Sequence, residues 1–494
     1  MQIHQLLFMD TLAWKWISIS GIVFIYIVAI FIILRTLLQN RNPSSTLSWV
    51  VVLVMLPYIG LVFYFFFGQR IRKRWIFKRL KIRELVKIRQ VSDSQLRALQ
   101  NVNDIHDPQV ITNLKLIRLL LNENSSFLSV NNTLEIYHKG EEVYNQLYKD
   151  LKTAEVFIHI EYYLFEDGEV ADHIQSILLD RLKSGVEVSL MLDGIGSRTL
   201  SDRYIETLRK AGAEVHIFRP VRFPRLTSKI NYRNHRKIVV IDGAIGYTGG
   251  INIADKYIYG DGDLGFWRDS HIRIYGDAVK MLEAVFLVDR YFVTNKFDKT
   301  PAKYFPSINF QGDKYIQIAN SGPESSTQNI LNAYFTAISS AQKSICICTP
   351  YFVPNESILM ALKTAAAGGV DVRIILPGRM DSRLVQYSSR SYITDLLSAN
   401  IRVYFYETGF IHAKIMVIDD YLSVLGSANF DYRSFYHNFE ISALIYDRDV
   451  NQKLRKQFQK DKQQSRKILQ AQWKKRSLLD KLKESVSRLT SPLI

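Results

Sequence analysis

The sequence predicts an α/β protein of two like halves, each a mixed β-sheet flanked by helices, in a pseudo-twofold arrangement behind an N-terminal transmembrane helical hairpin. Three observations predict it. The segment His-Arg-Lys-Ile-Val-Val-Ile-Asp, His235 to Asp242, recurs as His-Ala-Lys-Ile-Met-Val-Ile-Asp, His412 to Asp419. Around each copy, β-branched runs alternate with helical patterns in the same order, which marks an α/β sheet per half. Ahead of both lie two long apolar stretches within the first seventy residues.

Five segments follow: a hairpin over 1–70, a basic helical linker over 71–130, a first half over 131–315, a second half over 316–450 and basic amphipathic helices over 451–494. The apolar stretches run from Ile17 to Leu34 and from Trp49 to Phe67. Each matches the roughly 20 residues that span a bilayer as helix. Pro57 and Gly60 lie inside the second and predict a kink within a continuing span. No small-residue cleavage site follows the first, which argues against a signal peptide. Arg70, Arg72, Lys73 and Arg74 follow directly, so the positive-inside bias puts the bulk of the chain, and the N-terminus with it, on the cytoplasmic side.

The chain has 494 residues, a net charge of +17 and two Cys. That length accommodates two or three compact units. Cys346 and Cys348 alternate along one apparent strand and read as core thiols, with no disulfide framework implied. The basic loop from Arg219 to Arg236 leads into the first motif, where charge alone supports a solvated face and an anion or membrane contact equally. Near the end, Leu478, Leu479, Leu482, Val486 and Leu489 share one helical face beside Lys481 and Lys483, the pattern of an interfacial helix or of a docking helix.

In the first half, a helix after Gly140 precedes strands at Val156–Tyr163, Val186–Leu192 and Val215–Phe218. In the second, strands at Ser344–Thr349, Val370–Leu376 and Ile401–Tyr406 alternate with helices, and Gly185-Val-Glu-Val and Gly369-Val-Asp-Val are one element used twice. Each series ends on a motif copy, and the two copies are offset by 177 positions at the His, the Lys and the Asp. Residues two apart on a strand share a face, so His235 with Lys237, and His412 with Lys414, are presented together. Asn252 follows the first copy in Gly-Gly-Ile-Asn, and Asn429 follows the second in Gly-Ser-Ala-Asn, with Gly250 standing where Ser427 stands. An acid comes next in each: Asp269 and Glu440.

That inventory suits phosphoryl chemistry. One imidazole can attack phosphorus covalently while a second exchanges protons with the leaving and entering alcohols. The Lys pair, Asn252, Asn429 and Ser427 can stabilise the non-bridging oxygens without a metal. Asp269 and Glu440 can fix the imidazole tautomers. Asp242 and Asp419 complete the repeated motif and read as structural turn or salt-bridge residues. His159 and His216 sit inside strands and read as core-facing or capped, and His271 as a weaker candidate for the site rim. Each half supplies one His, so the chemistry needs both.

The doubled HxKxxxxD, with Gly-Ser-Ala-Asn-Phe-Asp-Tyr-Arg-Ser from Gly426 to Ser434, resembles the phospholipase D superfamily. The hairpin, Phe266-Trp-Arg-Asp269, Pro350-Tyr-Phe-Val-Pro354 and the terminal Leu489-Thr-Ser-Pro-Leu493 are similar to its bacterial cardiolipin synthase branch over essentially the whole chain; Tyr291 departs from an expected Trp. The resemblance implies His235, Lys237, Asp242, His412, Lys414 and Asp419 as the catalytic set. It implies transphosphatidylation between two phosphatidylglycerol molecules through a phosphatidyl-histidine at the bacterial cell membrane, with anionic membrane lipids as partners and no cofactor. A homo-oligomer stays open. A phospholipase D-type hydrolase or a phosphatidyltransferase with another acceptor would use the same residues. A nuclease would explain the charge but not two membrane spans, and a scaffold would not need two intact motifs.

Overall fold

The computed structural model describes residues 2–38, 43–64, 83–100, 107–218, 232–296, 301–322 and 327–491. An N-terminal helical unit and a much larger unit holding both repeats are distinct. The basic stretches Arg70–Lys81 and 219–231 lie outside the described residues.

The N-terminal unit contains α1 (Gln2–Leu37), α2 (Pro43–Met55) and α3 (Pro57–Phe63). Ile19–Leu37 of α1 has a mean hydropathy of 2.4 and, among the described residues, is the one stretch long and apolar enough to cross a membrane. The predicted second span is corrected here. Leu56 leaves the helical conformation (φ −135°, ψ 64°) and Pro57, which lacks an N–H, opens α3. At 1.5 Å per residue α2 rises about 20 Å, short of the ~30 Å hydrocarbon core. The chain then doubles back. The rings of Trp49 and Tyr64 meet edge to face with centroids 5.2 Å apart, whereas a continuous helix would separate residues fifteen apart by about 22 Å. Tyr64 Oη lies 2.9 Å from Thr36 Oγ1 at the end of α1. Gly60 permits the fold-back, because a Cβ there would sit 2.8 Å from the Val52 carbonyl oxygen. Pro57 therefore reverses the segment instead of kinking it.

The large unit opens with α4 (Arg83–Ala98) and α5 (Pro108–Asn124). The first half comprises β1 (Asn132–Tyr137), α6 (Gly140–Lys152), β2 (Phe157–Tyr162), α7 (Glu169–Lys183), β3 (Glu187–Asp193), α8 (Asp202–Lys210), β4 (Glu214–Phe218), β5 (Lys237–Ile241), β6 (Ile245–Gly249), α9 (Lys256–Tyr259), β7 (Trp267–Arg268), β8 (His271–Gly276) and α10 (Val279–Thr294). The second comprises β9 (Tyr315–Ser321), α11 (Asn329–Ser340), β10 (Ser344–Cys348), β11 (Phe352–Val353), α12 (Glu356–Ala367), β12 (Asp371–Pro377), α13 (Arg383–Ser391), α14 (Ile393–Ser398), β13 (Arg402–Tyr406), β14 (Phe410–Ile411), β15 (Ile415–Ile418), β16 (Leu422–Gly426), β17 (Phe430–Asp431), α15 (Tyr432–Tyr436), β18 (Glu440–Tyr446), α16 (Arg448–Gln463) and β19 (Ser465–Lys467). Two helices close the chain, α17 (Gln470–Lys474) and α18 (Leu478–Leu489).

The sheets repeat one topology. Strand order is β1-β8-β6-β5-β2-β3-β4 in the first and β9-β18-β16-β15-β10-β12-β13 in the second, where β19 adds one further edge strand. In each, three strands run parallel (β2, β3, β4; β10, β12, β13) and the motif strand (β5; β15) turns antiparallel to the innermost of them. The motif strands are buried on both faces, which is why they read as unbroken apolar runs. Val239 and Ile241 pack with α6, α7 and α8, while Ile238 and Val240 join a core that continues into the second half. Each such side chain contributes roughly 1.5–3 kcal/mol of burial.

Asp242 and Asp419 show why the motif ends in an acid. Both hold a left-handed backbone (φ 51° and 44°), a conformation Asp tolerates better than most residues. Asp242 accepts from the N–H groups of Glu155, Val156 and Phe157 at 2.7–2.9 Å. Asp419 does the same for Gln342, Lys343 and Ser344 at 2.8–2.9 Å. Each carboxylate thus pins the start of the neighbouring strand, β2 or β10, and faces away from the opposite end of the motif strand.

A topological prediction follows from α2 and α3. Cysteines introduced at Leu38 and at exposed Lys183 should react with an impermeant maleimide from the same side of the membrane. A two-span hairpin would put them on opposite sides. Both native cysteines are buried, so labelling of the parent chain should be low.

Candidate active site

The two motifs meet where the halves face each other, and each histidine is held by the other half. The backbone N–H of His235 donates to the carbonyl of Phe439 at 2.9 Å, and that of His412 to the carbonyl of Arg268 at 2.7 Å. Phe439 and Arg268 immediately precede Glu440 and Asp269. The side chains follow the same crossing: His235 Nδ1 lies 3.0 Å from Glu440 Oε2, and His412 Nδ1 lies 2.7 Å from Asp269 Oδ2. Both carboxylates are fully buried, and the imidazoles keep only 9% and 7% of their surface.

Lys237 and Lys414 complete the cluster. Their ammonium groups donate to the carbonyls of His235 and His412, at 2.8 and 2.5 Å. Lys414 Nζ also lies 3.0 and 3.1 Å from the two ring nitrogens of His412. Burial drives both lysines down, Lys237 to about 7 and Lys414 to about 8. Burial likewise lowers His235 against the opposing pull of Glu440, and burial with Lys414 brings His412 to about 3. Both imidazoles are therefore neutral at physiological pH. Burial alone would raise Asp269 and Glu440, but Lys414 and His412 hold the first below the usual carboxylate range and His235 holds the second. Lys414 acts electrostatically on His235, and Lys237 on His412, so the four groups form one field.

The other expected contacts fall around this cluster. Asn252 donates through Nδ2 to Tyr257 Oη at 2.9 Å and accepts from the N–H of Leu164 at 3.3 Å. Tyr257 Oη is itself 3.5 Å from His412 Nδ1. Asn429, 4% exposed, has its N–H on Ser434 Oγ at 3.0 Å. Ser427 lies behind Glu440: its hydroxyl donates to Glu440 Oε2 at 2.5 Å and accepts from the N–H of Ile441 at 3.0 Å. His271 is fully buried on β8, away from any rim. His159 pairs with Glu283 in the core at 3.0 Å, and His216 is partnered by Glu214 at 3.3 Å.

Several residues that the sequence reading left unassigned support the site. Ser434 Oγ and Asn438 Nδ2 donate to Glu440 Oε1 at 3.0 and 3.2 Å, so that carboxylate accepts from His235, Ser427, Ser434 and Asn438 together. Asp431 receives the N–H of Ser434 at 2.7 Å and caps α15. Arg236, between the motif His and Lys, reaches the carbonyls of Glu440 at 3.2 Å and Ser321 at 3.0 Å and pairs with Asp289. Arg268 is paired with Asp461 of α16. These buried arginines tie each half to the other beside the carboxylate it donates, and removing one partner of such a pair costs about 3–5 kcal/mol. Tyr163 stands edge-on to His235 at 4.9 Å, and Trp267 lies 5.4 Å from His412.

Residues 147–288 and 334–462 match the family described as cardiolipin synthase, PLD-like domain, and residues 24–69 match a phospholipase D-nuclease N-terminal family. The chain is 39% identical over 490 residues to a cardiolipin synthase of Geobacillus sp. (strain WCH70), covering 99% of this chain and 97% of that one. The chain belongs to the cardiolipin synthase family. A cardiolipin synthase of Staphylococcus aureus (strain Mu50 / ATCC 700699) is 39% identical over 459 residues, 92% of this chain and 93% of the relative. The fold is that of the crystal structure of phosphatidylserine synthase from Haemophilus influenzae Rd KW20, with a TM-score of 0.59 at 15% identity over 77% of this chain and 100% of that one.

In this member of the cardiolipin synthase family the two half-sites are similar but not equal. Gly250 and Ser427 hold equivalent places, their N–H groups bonding the carbonyls of Ser270 and Ile441. A Cβ on Gly250 would fall on Asp269 Oδ1, which is held there by the N–H of Ser270 at 2.7 Å. The shorter acid thus occupies the space that the Ser427 side chain fills opposite the longer Glu440. Gly250→Ser should displace Asp269 and lower turnover about 10²-fold, the scale expected for a 1 Å misplacement. Adding Asp269→Glu should restore much of the loss by rebuilding the second-half arrangement. Initial rates of lipid product formation, with thermal melts to exclude unfolding, check both.

Proposed function

We propose that the chain makes cardiolipin by transferring the phosphatidyl group of one phosphatidylglycerol to a headgroup hydroxyl of a second, releasing glycerol. The observation that carries this reading is the crossed pair of buried His–carboxylate dyads, with two lysines between them, in a chain of this family. His235 attacks phosphorus of the first lipid with its neutral Nε2. His412, neutral in the free enzyme, takes up a proton as the anionic phosphodiester binds beside it; the P–O bond to glycerol breaks, and His412 delivers that proton to the departing alkoxide. A phosphatidyl group is then bonded to His235. His412, now neutral, takes the proton from the second lipid's hydroxyl, whose oxygen attacks phosphorus, and the P–N bond breaks to regenerate His235.

Lys237 and Lys414 stabilise the charge that grows on the non-bridging oxygens. Asn252 and Asn429 join them at the phosphate. Ser427 acts at one remove by holding Glu440, and Asp242 and Asp419 set the strands. Glu440 and Asp269 orient the imidazoles and stabilise each imidazolium as it forms. Because glycerol and water are comparable nucleophiles, a site loaded with acceptor lipid and poor in water favours transfer over hydrolysis. The apolar α1 anchors the enzyme in the bacterial cell membrane, and the basic sequence that follows the apolar segments supports a cytoplasmic catalytic unit.

Purified full-length enzyme given phosphatidylglycerol alone, without added divalent cation, should yield cardiolipin and glycerol in equal amounts. Phosphatidic acid alone would make it a hydrolase, and no product would point to another donor or acceptor. His235→Ala and His412→Ala should each lower cardiolipin formation by at least about 10⁴-fold, as losses of a covalent or proton-transfer group do. Brief incubation of His412→Ala with labelled lipid should leave label on His235. Label absent there but present on His412 in His235→Ala would reverse the roles.

The lysines also set a pH dependence. Their ammonium forms bind the phosphate, and their lowered values mean that charge is lost as pH rises through about 7 to 8. kcat/KM, which reports the free enzyme, should therefore fall on the alkaline side of that window. Lys237→Arg, charged at every accessible pH, should be slower at neutrality but show a flatter alkaline limb.

A further inference from the structure

The last helix is mounted the reverse of a docking helix. On α18 the residues turned into the protein are polar: Glu484 and Ser487 are buried, as is Ser491 just beyond. Ser491 Oγ meets Ser388 Oγ at 3.2 Å and Tyr392 Oη at 3.1 Å. Arg488 pairs with Asp395 at 2.9 Å and lies 4.3 Å from the Tyr392 ring centroid. Lys483 lies 5.6 Å from the Tyr387 ring centroid, and Arg476 pairs with buried Glu484 at 3.2 Å. Polar contacts therefore fasten the helix to α13 and α14. The opposite face carries Leu478, Leu479, Leu482, Val486 and Leu489, between 55% and 84% exposed.

We propose that this face of α18 inserts into the headgroup–acyl boundary of an anionic bilayer and holds the mouth of the active site against the lipid surface. Leucines on a helix that makes its protein contacts through polar side chains are not needed for packing, yet leaving them in water forfeits roughly 25 cal/mol per Å² of apolar surface. The rim of the face is basic: Lys474, Lys475 and Lys483 are exposed and Lys481 is half-exposed, which complements anionic headgroups. The fold connects this surface to the chemistry. The loop before α13 carries Asp381, which accepts from Tyr351 Oη at 2.5 Å. Tyr351 precedes β11, and β11 pairs with β17 beside Asn429. The inference deepens the proposed lipid chemistry, but insertion can be read without turnover.

Full-length protein carrying an environment-sensitive fluorophore on Leu482→Cys is reconstituted into vesicles of phosphatidylcholine with 30% phosphatidylglycerol, a fraction of whose acyl chains are brominated near the headgroup. The probe should shift blue and be quenched about twofold or more, the behaviour of a side chain 5–10 Å into the interface, while the same probe on Lys183→Cys should not. Leu482→Asp with Val486→Asp should lower activity on vesicles about tenfold, from the lost apolar insertion, and leave activity on detergent-dispersed short-chain phosphatidylglycerol within about twofold of the parent. Absence of quenching overturns the proposal. If Leu482→Cys instead forms a disulfide between two protomers, a second copy covers the face and the proposal fails. An enzyme that inserts but makes no cardiolipin would refute the catalytic reading alone.

Discussion

The structure depends on burying two carboxylates, two imidazoles and two ammonium groups at one place. Charges are expensive away from water unless each has a partner. Here the partners are crossed: Glu440 of the second half serves His235 of the first, and Asp269 of the first serves His412 of the second. The backbone at each histidine is clipped to the residue before the opposing acid. Neither half places its own acid against its own histidine, so the duplicated sheets must face each other to complete the pairs. The buried Arg236 and Arg268 extend the same lock outward to Asp289 and Asp461.

Preorganisation follows from that lock. Glu440 accepts four hydrogen bonds and has little freedom to rotate. The imidazole it holds is fixed in tautomer and direction, with burial favouring its neutral form. The same burial leaves the lysines poised near neutrality, where a change in the charge around them changes their own. Dipoles and charges already in place need no reorganisation in the transition state.

Much of this was legible in the sequence. The motif strands, their apolar runs and the repeated strand order are local patterns of period and spacing, and the duplicate motif removed the ambiguity of a single His-x-Lys. The structural role of Asp242 and Asp419 was also within reach, since both sit past the buried run. What escaped was non-local. Nothing along the chain says that Glu440 serves the histidine 205 positions earlier, or that Ser427 spends its hydroxyl on that acid instead of on phosphate. Ser434 stood inside the recognised motif, but its partner lies across a turn, and Tyr257 sat in an unremarkable helical turn. The second apolar segment has the hydropathy of a span; that Trp49 touches Tyr64 is a fact of tertiary contact that no hydropathy window contains. The last helix showed its apolar face in sequence, and only its buried serines and glutamate revealed which side the protein uses.

The unequal acids bear on how two copies of one gene segment drift apart. Gly250 goes with Asp269, and Ser427 with Glu440, because each small residue is sized to the carboxylate beside it. A serine arriving alone at 250 meets an occupied position, and a glutamate arriving alone at 269 must find new room. The halves are separated by a valley that single substitutions cross poorly, and only an exchange that carries both members of a pair together keeps a working half-site. Once such a pair has diverged, the copies are no longer spare parts for one another, and each becomes committed to its side of the site.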